Sequence, residues 1–157
     1  MRNYKIIADS TCDLNANLEK EFDIEVMPLS FTIDGKTYQN YLDGREINLD
    51  DFYKKMEEGH NPKTSQINAN SIEEVFRKYL ELGNDILYIC ISSGISGTFN
   101  SARIAKEMLE EEYKNAKIIV IDSLCASAGE GLLVSLAVNK KKEGLSIEDN
   151  ATYLDTT

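Results

Sequence analysis

Two stretches of this sequence are apolar almost without interruption, DILYICIS (residues 85–92) and KIIVIDS (residues 117–123), and they constrain the fold more than any other feature. A strand with one wetted face alternates apolar and polar residues, whereas a strand apolar on both sides must be covered on both. Each run leads into a segment at helical spacing, GTFNSARIAKEMLEEEY (97–113) and GEGLLVSLAVNKKKEG (129–144). The same alternation begins upstream, where YKIIADS (4–10) precedes NLEKEFD (17–23). The expected fold is α/β: a three-layer α/β/α domain with a mainly parallel sheet. IEVMPLSFTIDGKTYQN (24–40) reads as a strand with a short hairpin extension turning at Asp34-Gly35. Asn48 is the expected cap of LDDFYKKMEEG, and Ser71 with Glu74 the expected capping box of the helix IEEVFRKYLELG. KTSQ (63–66) is expected in the loop before that helix, and Lys140–Lys142 at a helix C-terminus.

In such a sheet ligands bind outside the carboxyl ends of the strands. The small polar residues of this chain gather there: ADSTCD (8–13) after the first strand, SSGISGT (92–98) after the central one and DSLCASAGEG (122–131) after the last. Glycines and hydroxyls at a helix start make an anion site, because free N–H groups and the helix dipole both favour negative charge. The expected guest is a carboxylate or a phosphate. Neither nucleotide pattern is present: Thr98 stands where a P-loop needs lysine, and the first strand-to-helix turn lacks glycine. Gly94-Ile95-Ser96-Gly97 is one residue short of a nucleophile elbow, and a Ser96, His60, Asp122 triad would need an unusual chain order. A serine-dependent hydrolase or transferase remains an alternative, as does a small anion- or phosphate-binding interaction domain.

The blander readings stand beside these. One or two hydroxyls at a helix start are ordinary caps, although caps do not account for Ser92, Ser93, Ser96 and Thr98 together. Asp9 and Asp122 end strands, where aspartate usually serves a turn. Gly129 and Gly131 are expected to allow tight packing. The net charge of −10, from 27 acidic and 17 basic residues, argues against nucleic acid and anionic membrane as partners. Cys12, Cys90 and Cys125 are odd in number and widely spaced, so they read as reduced thiols in a cytoplasmic protein without a zinc site. No apolar run approaches the roughly 18 residues of a membrane span, and the N-terminus lacks the apolar core of a signal peptide.

ADSTCDL, PKTSQ, SSGISGTFNSA and DSLCASAGEGLLV, in that order, resemble the signature segments of the DegV family, bacterial fatty-acid-binding proteins. The likeness runs from Tyr4 to about Leu145 and is most specific where TSQ and SSGISGT occur together. It implies a carrier and not an enzyme: no cofactor, a long-chain fatty acid such as palmitate as ligand, and a fatty acid kinase as partner. It implies that Thr64 and Ser93 hold the carboxylate and that Ser65, Ser92, Gly94, Ser96, Gly97 and Thr98 shape the site. Ile95, Phe99 and Phe31 are candidates for lining the tail's tunnel. Two departures stand out: Ile67 replaces the family's usual proline after TSQ, and the family's chains are about twice as long. Ser146 and Asp149 look like the start of a further helix. Residues 1–157 are therefore expected to be the N-terminal domain of a two-domain protein, with a tendency to self-associate when alone.

Overall fold

A computed structural model describes residues 2–157. Four strands, β1 (Tyr4–Asp9), β2 (Glu25–Met27), β6 (Asp85–Cys90) and β7 (Ile118–Asp122), form a parallel sheet in the order β2-β1-β6-β7. Three others, β3 (Ser30–Ile33), β4 (Lys36–Gln39) and β5 (Lys63–Ser65), form a small antiparallel sheet in the order β4-β3-β5. The helices are α1 (Ala16–Glu21), α2 (Leu49–Glu57), α3 (Ala69–Glu81), α4 (Thr98–Glu112), α5 (Ala128–Lys142) and α6 (Ile147–Asp155).

The uninterrupted apolar runs do what their pattern requires. Strand side chains alternate between faces. Ile86, Tyr88 and Cys90 of β6 join a core with Ile72 and Phe76 of α3 and Ala102, Ala105 and Leu109 of α4. Leu87 and Ile89 join a second core with Val134, Ala137 and Val138 of α5 and Ile147, Ala151 and Leu154 of α6. All six residues of β6 are buried. The fold is thus the expected three-layer α/β/α arrangement with a hairpin extension.

Three expectations need correction. The strand expected before the Asp34-Gly35 turn is two strands, β2 and β3, in different sheets. Pro28 has no N–H to continue a ladder, and Leu29 N donates instead to Ser10 Oγ at 3.0 Å. Lys63–Ser65 is a strand and not a loop: β5 pairs antiparallel with β3, placing Phe31 opposite Thr64 and Ser30 opposite Ser65. Its side chains are all exposed, so no apolar alternation marks it. Helix α3 begins at Ala69, capped by Asn68, whose side chain accepts from Ser71 N at 2.9 Å. Other expectations hold: Asn48 caps α2, Ser146 caps α6, and Lys140–Lys142 close α5. The Asp34-Gly35 turn has φ 54° and 75° at its two residues, as a tight hairpin requires.

Candidate functional site

Parallel pairing puts the ends of β1, β6 and β7 along one edge. Cys90 stands beside Asp122 and Ala8 beside Ile89, so the three loops of interest leave the sheet together. They are bonded to one another. Ser92 N donates to Cys125 O at 2.9 Å, Ser123 N to Cys90 O at 3.0 Å, and Ser127 N to Thr11 O at 2.7 Å.

The Ser92–Thr98 loop divides its hydroxyls between internal and outward roles. Ser92 is buried; its Oγ accepts from Gly94 N at 3.2 Å, and its carbonyl accepts from Ile95 N and Ser96 N. Ser96 Oγ and Thr98 Oγ1 are 2.9 Å apart, and Thr98 Oγ1 accepts from Ile67 N at 3.2 Å. That last bond joins this loop to the segment after β5. Gln66 lies against Gly97 so closely that a Cβ there would collide with its amide. The TSQ and SSGISGT segments are therefore side by side, and Ile67, standing where a proline was expected, supplies the N–H that joins them. Thr64, Ser65 and Ser93 are exposed.

The electrostatics of this edge combine two helix dipoles with one acidic side chain. Helices α4 and α5 follow Gly97 and Ser127, neither of which caps its helix through a side chain; the first α4 amide, Thr98 N, donates to Ser96 Oγ at 3.2 Å, and the positive ends of both helix dipoles face this edge. Three residues with left-handed φ sit in the surrounding loops, Asp13 (53°), Leu124 (55°) and Ser127 (56°). Such conformations cost of order 1–3 kcal/mol each and cluster at functional sites. Asp122 Oδ1 accepts from Ser93 N and Leu124 N, each at 3.1 Å. Burial opposes the charge of Asp122, but these bonds and the Ser93 hydroxyl hold its carboxyl below the usual range.

The tail candidates occupy different settings. Ile95 is exposed, and Phe99 packs against the α3–α4 core. Phe31 is buried between Tyr38 and Phe52, with ring centroids at 5.5 and 5.1 Å. A cleft of about 310 Å³ opens beside Gln66 and Ile67, walled also by Met27 and Val75.

The triad of the hydrolase alternative is not assembled. His60 Nδ1 lies 2.5 Å from Asp34 Oδ1 in the hairpin turn, Ser96 bonds Thr98, and Asp122 bonds the Ser93 amide. Burial, above all, raises the Cys12 thiol to about 12 and pushes Cys90 up as well, which makes both poor nucleophiles. Among the described residues no group of three or more His, Cys, Asp or Glu is placed to hold a metal ion, and no helix is long and apolar enough to cross a membrane.

One buried feature was missed by sequence reasoning. Glu130, in the first turn of α5, is fully buried with Asp9, and both contact the Thr11 hydroxyl. A lone glutamate in a GEG helix start carries no signal of burial, because that burial depends on β1 arriving beside it.

A family profile described as "Uncharacterised protein, DegV family" matches residues 3–157. A DegV domain-containing protein of Clostridium perfringens is 39% identical over 155 residues, 99% of this chain and 53% of the relative. One of Clostridium acetobutylicum is 43% identical over 150 residues, 95% of this chain and 51% of the relative. The chain thus spans about half the length of the curated relatives it matches. Among solved structures, a fatty-acid (stearic acid)-binding protein from Eubacterium ventriosum superposes with a TM-score of 0.88 at 36% identity, over 97% of this chain and 52% of that one. A DegV family protein from Thermus thermophilus, described by its fatty-acid binding, gives 0.86 at 30% identity, over 99% and 53%.

Proposed function

The chain belongs to the DegV family, and on that footing we propose that it forms the carboxylate-holding part of a long-chain fatty-acid carrier. Thr64 donates its hydroxyl hydrogen to the carboxylate, Ser93 does the same on turning its hydroxyl away from Asp122, and Ser65, Ser92, Gly94, Ser96, Gly97 and Thr98 set the shape of the cradle. The observation that carries this reading is the seam between the two segments. The Ile67–Thr98 bond and the Gln66–Gly97 contact bring them together while Thr64 and Ser93 stay exposed. A cap needs one side chain and a nucleophile needs a base; a carboxylate cradle needs several donors and no base. The uncapped starts of α4 and α5 add favourable field at the same edge.

The fatty-acid binding described for the Eubacterium ventriosum and Thermus thermophilus proteins supports the choice of anion. Residues 1–157 act as the N-terminal domain of a two-domain cytoplasmic protein that presents the acid to a fatty acid kinase and does no chemistry itself. Ile95, Phe99 and Phe31 belong to the apolar lining. Burial of roughly 0.8 kcal/mol per methylene supplies most of the affinity, and the hydroxyls fix orientation.

Calorimetric titration of palmitate into the full-length protein tests the reading. The wild type binds, and a Thr64→Ala, Ser93→Ala double variant binds at least about 100-fold more weakly, as expected for two lost charge-assisted hydrogen bonds of about 1.5–3 kcal/mol each. Unchanged affinity in the double variant refutes the assignment of the cradle, and absence of binding by the wild type refutes the ligand.

A further inference from the structure

The carboxyl groups of Asp9 and Glu130 are both fully buried, and the Thr11 hydroxyl lies within hydrogen-bond reach of Asp9 Oδ1 and Glu130 Oε2. A hydroxyl has one hydrogen and can donate to only one of them. Were both carboxyls ionised, one of the two contacts would press acceptor against acceptor in the interior, so one carboxyl carries a proton.

The partners show which. Asp9 Oδ1 also accepts from Thr11 N at 3.2 Å, and Oδ2 accepts from Ile91 N at 2.8 Å and Tyr88 OH at 3.2 Å. Such a donor set stabilises a carboxylate. Glu130 has none of these bonds beyond a minor one from the Asp9 backbone, and its buried Oε1 has no hydrogen-bond partner among the described residues, a modest cost for a neutral carboxyl and a large one for an anion. The order is Glu130 O–H to Thr11 Oγ1, and Thr11 O–H to Asp9. Burial and the Asp9 charge both raise the Glu130 carboxyl above its ordinary value of 4.5. The titratable groups around it are Asp9 from β1, Cys12 from the turn that follows, and Tyr88 and Cys90 from β6; Asp13 and Asp122 lie one step further out. All are acids, so none of them favours ionised Glu130.

This chain of bonds ends at the functional loop. Ile91, whose amide Asp9 grips, is the residue from which Ser92–Thr98 departs. We propose that Glu130 is a positioning residue for that loop: a neutral acid that orients Thr11, which orients Asp9, which fixes the Ile91 amide and so the point where Ser93 leaves the sheet. The role deepens the fatty-acid reading above and rests on it for its ligand.

The test measures two things in the full-length protein, amide hydrogen-exchange protection at Ile91 without ligand and affinity for palmitate. Thr11→Val and Glu130→Leu keep the side-chain volume but break the chain of donors; each lowers Ile91 protection and palmitate affinity at least 10-fold. Glu130→Gln still donates and is rescued, remaining within about 3-fold of wild type on both. The pH dependence has a definite sign. With the folded value raised, the stabilising contribution of Glu130 is fully present below 4.5 and declines as pH rises toward that raised value. Glu130→Gln is neutral throughout, so its melting temperature relative to wild type climbs from pH 5 to 9. A flat difference, a folded Glu130→Leu with normal Ile91 protection, or a Glu130→Gln as damaged as Glu130→Leu overturns the proposal. Should Glu130→Leu fail to fold, Thr11→Val at its half-exposed site decides. Should the wild type bind no palmitate while the exchange pattern holds, the positioning role stands and the ligand assignment falls.

Discussion

At Gly131 two effects of one methyl group oppose each other. In an ordinary helix, replacing glycine by alanine gains about 1 kcal/mol. Here the added Cβ would run into the Cys12 carbonyl, which is backbone held in the turn after β1, and overpacking of that kind costs about 1–3 kcal/mol. The collision wins, so Gly131→Ala is expected to lower stability by up to about 2 kcal/mol in urea denaturation; a gain would mean that α5 can shift freely. The glycine's tight-packing role was legible in the sequence, and so was the meeting of the three polar loops at one sheet edge, because parallel strands carry their ends to the same side. Asp9 was legible only as a turn residue, and it does accept from Thr11 N. Its grip on Ile91 and its tie to Glu130 join residues far apart in the chain, and no local pattern encodes that distance.

Among the elements, α3 shows where local rules compete. Ser71 and Glu74 satisfy the spacing of a capping box, but Asn68 stands three residues earlier and takes the Ser71 amide at 2.9 Å. Asparagine is at least as good a cap as serine, and the earlier start adds Ala69–Ser71 ahead of the apolar face that Ile72, Phe76, Tyr79 and Leu80 bury. Asn68→Ala is therefore expected to cost about 1 kcal/mol, and Ser71→Ala less than about 0.5; the reverse order in thermal melts would restore Ser71 as the cap. β5 was hidden for a different reason. Edge pairing of Lys63–Ser65 with β3 uses backbone groups only, and a strand that buries no side chain leaves no periodic trace.

In the molecule as a whole, the edge that carries the hydroxyl loops also carries exposed apolar side chains: Ile95 at 67%, Leu124 at 77% and Leu132 at 60% exposure. Scattered singly these would mean little, but three around one site are expected to seek cover. The 157-residue chain alone is expected to dimerise at high concentration in light scattering, and Ile95→Ser with Leu124→Asn to prevent it; a strict monomer at hundreds of micromolar would refute this. The layered fold was readable because two uninterrupted apolar strands admit few other arrangements, whereas of the small sheet only the β3–β4 hairpin was, since Pro28 breaks a run that looks continuous and β5 leaves no pattern. The strand order has a consequence for synthesis. β1 must wait for β6, the partner that covers its other edge, with Tyr4 opposite Asp85. At about 5–20 residues per second, the ribosome exposes Ile6, Ile7 and Ala8 for roughly 5–15 seconds before that partner emerges, a window in which a nascent chain of this family depends on holding its apolar first strand out of the reach of others.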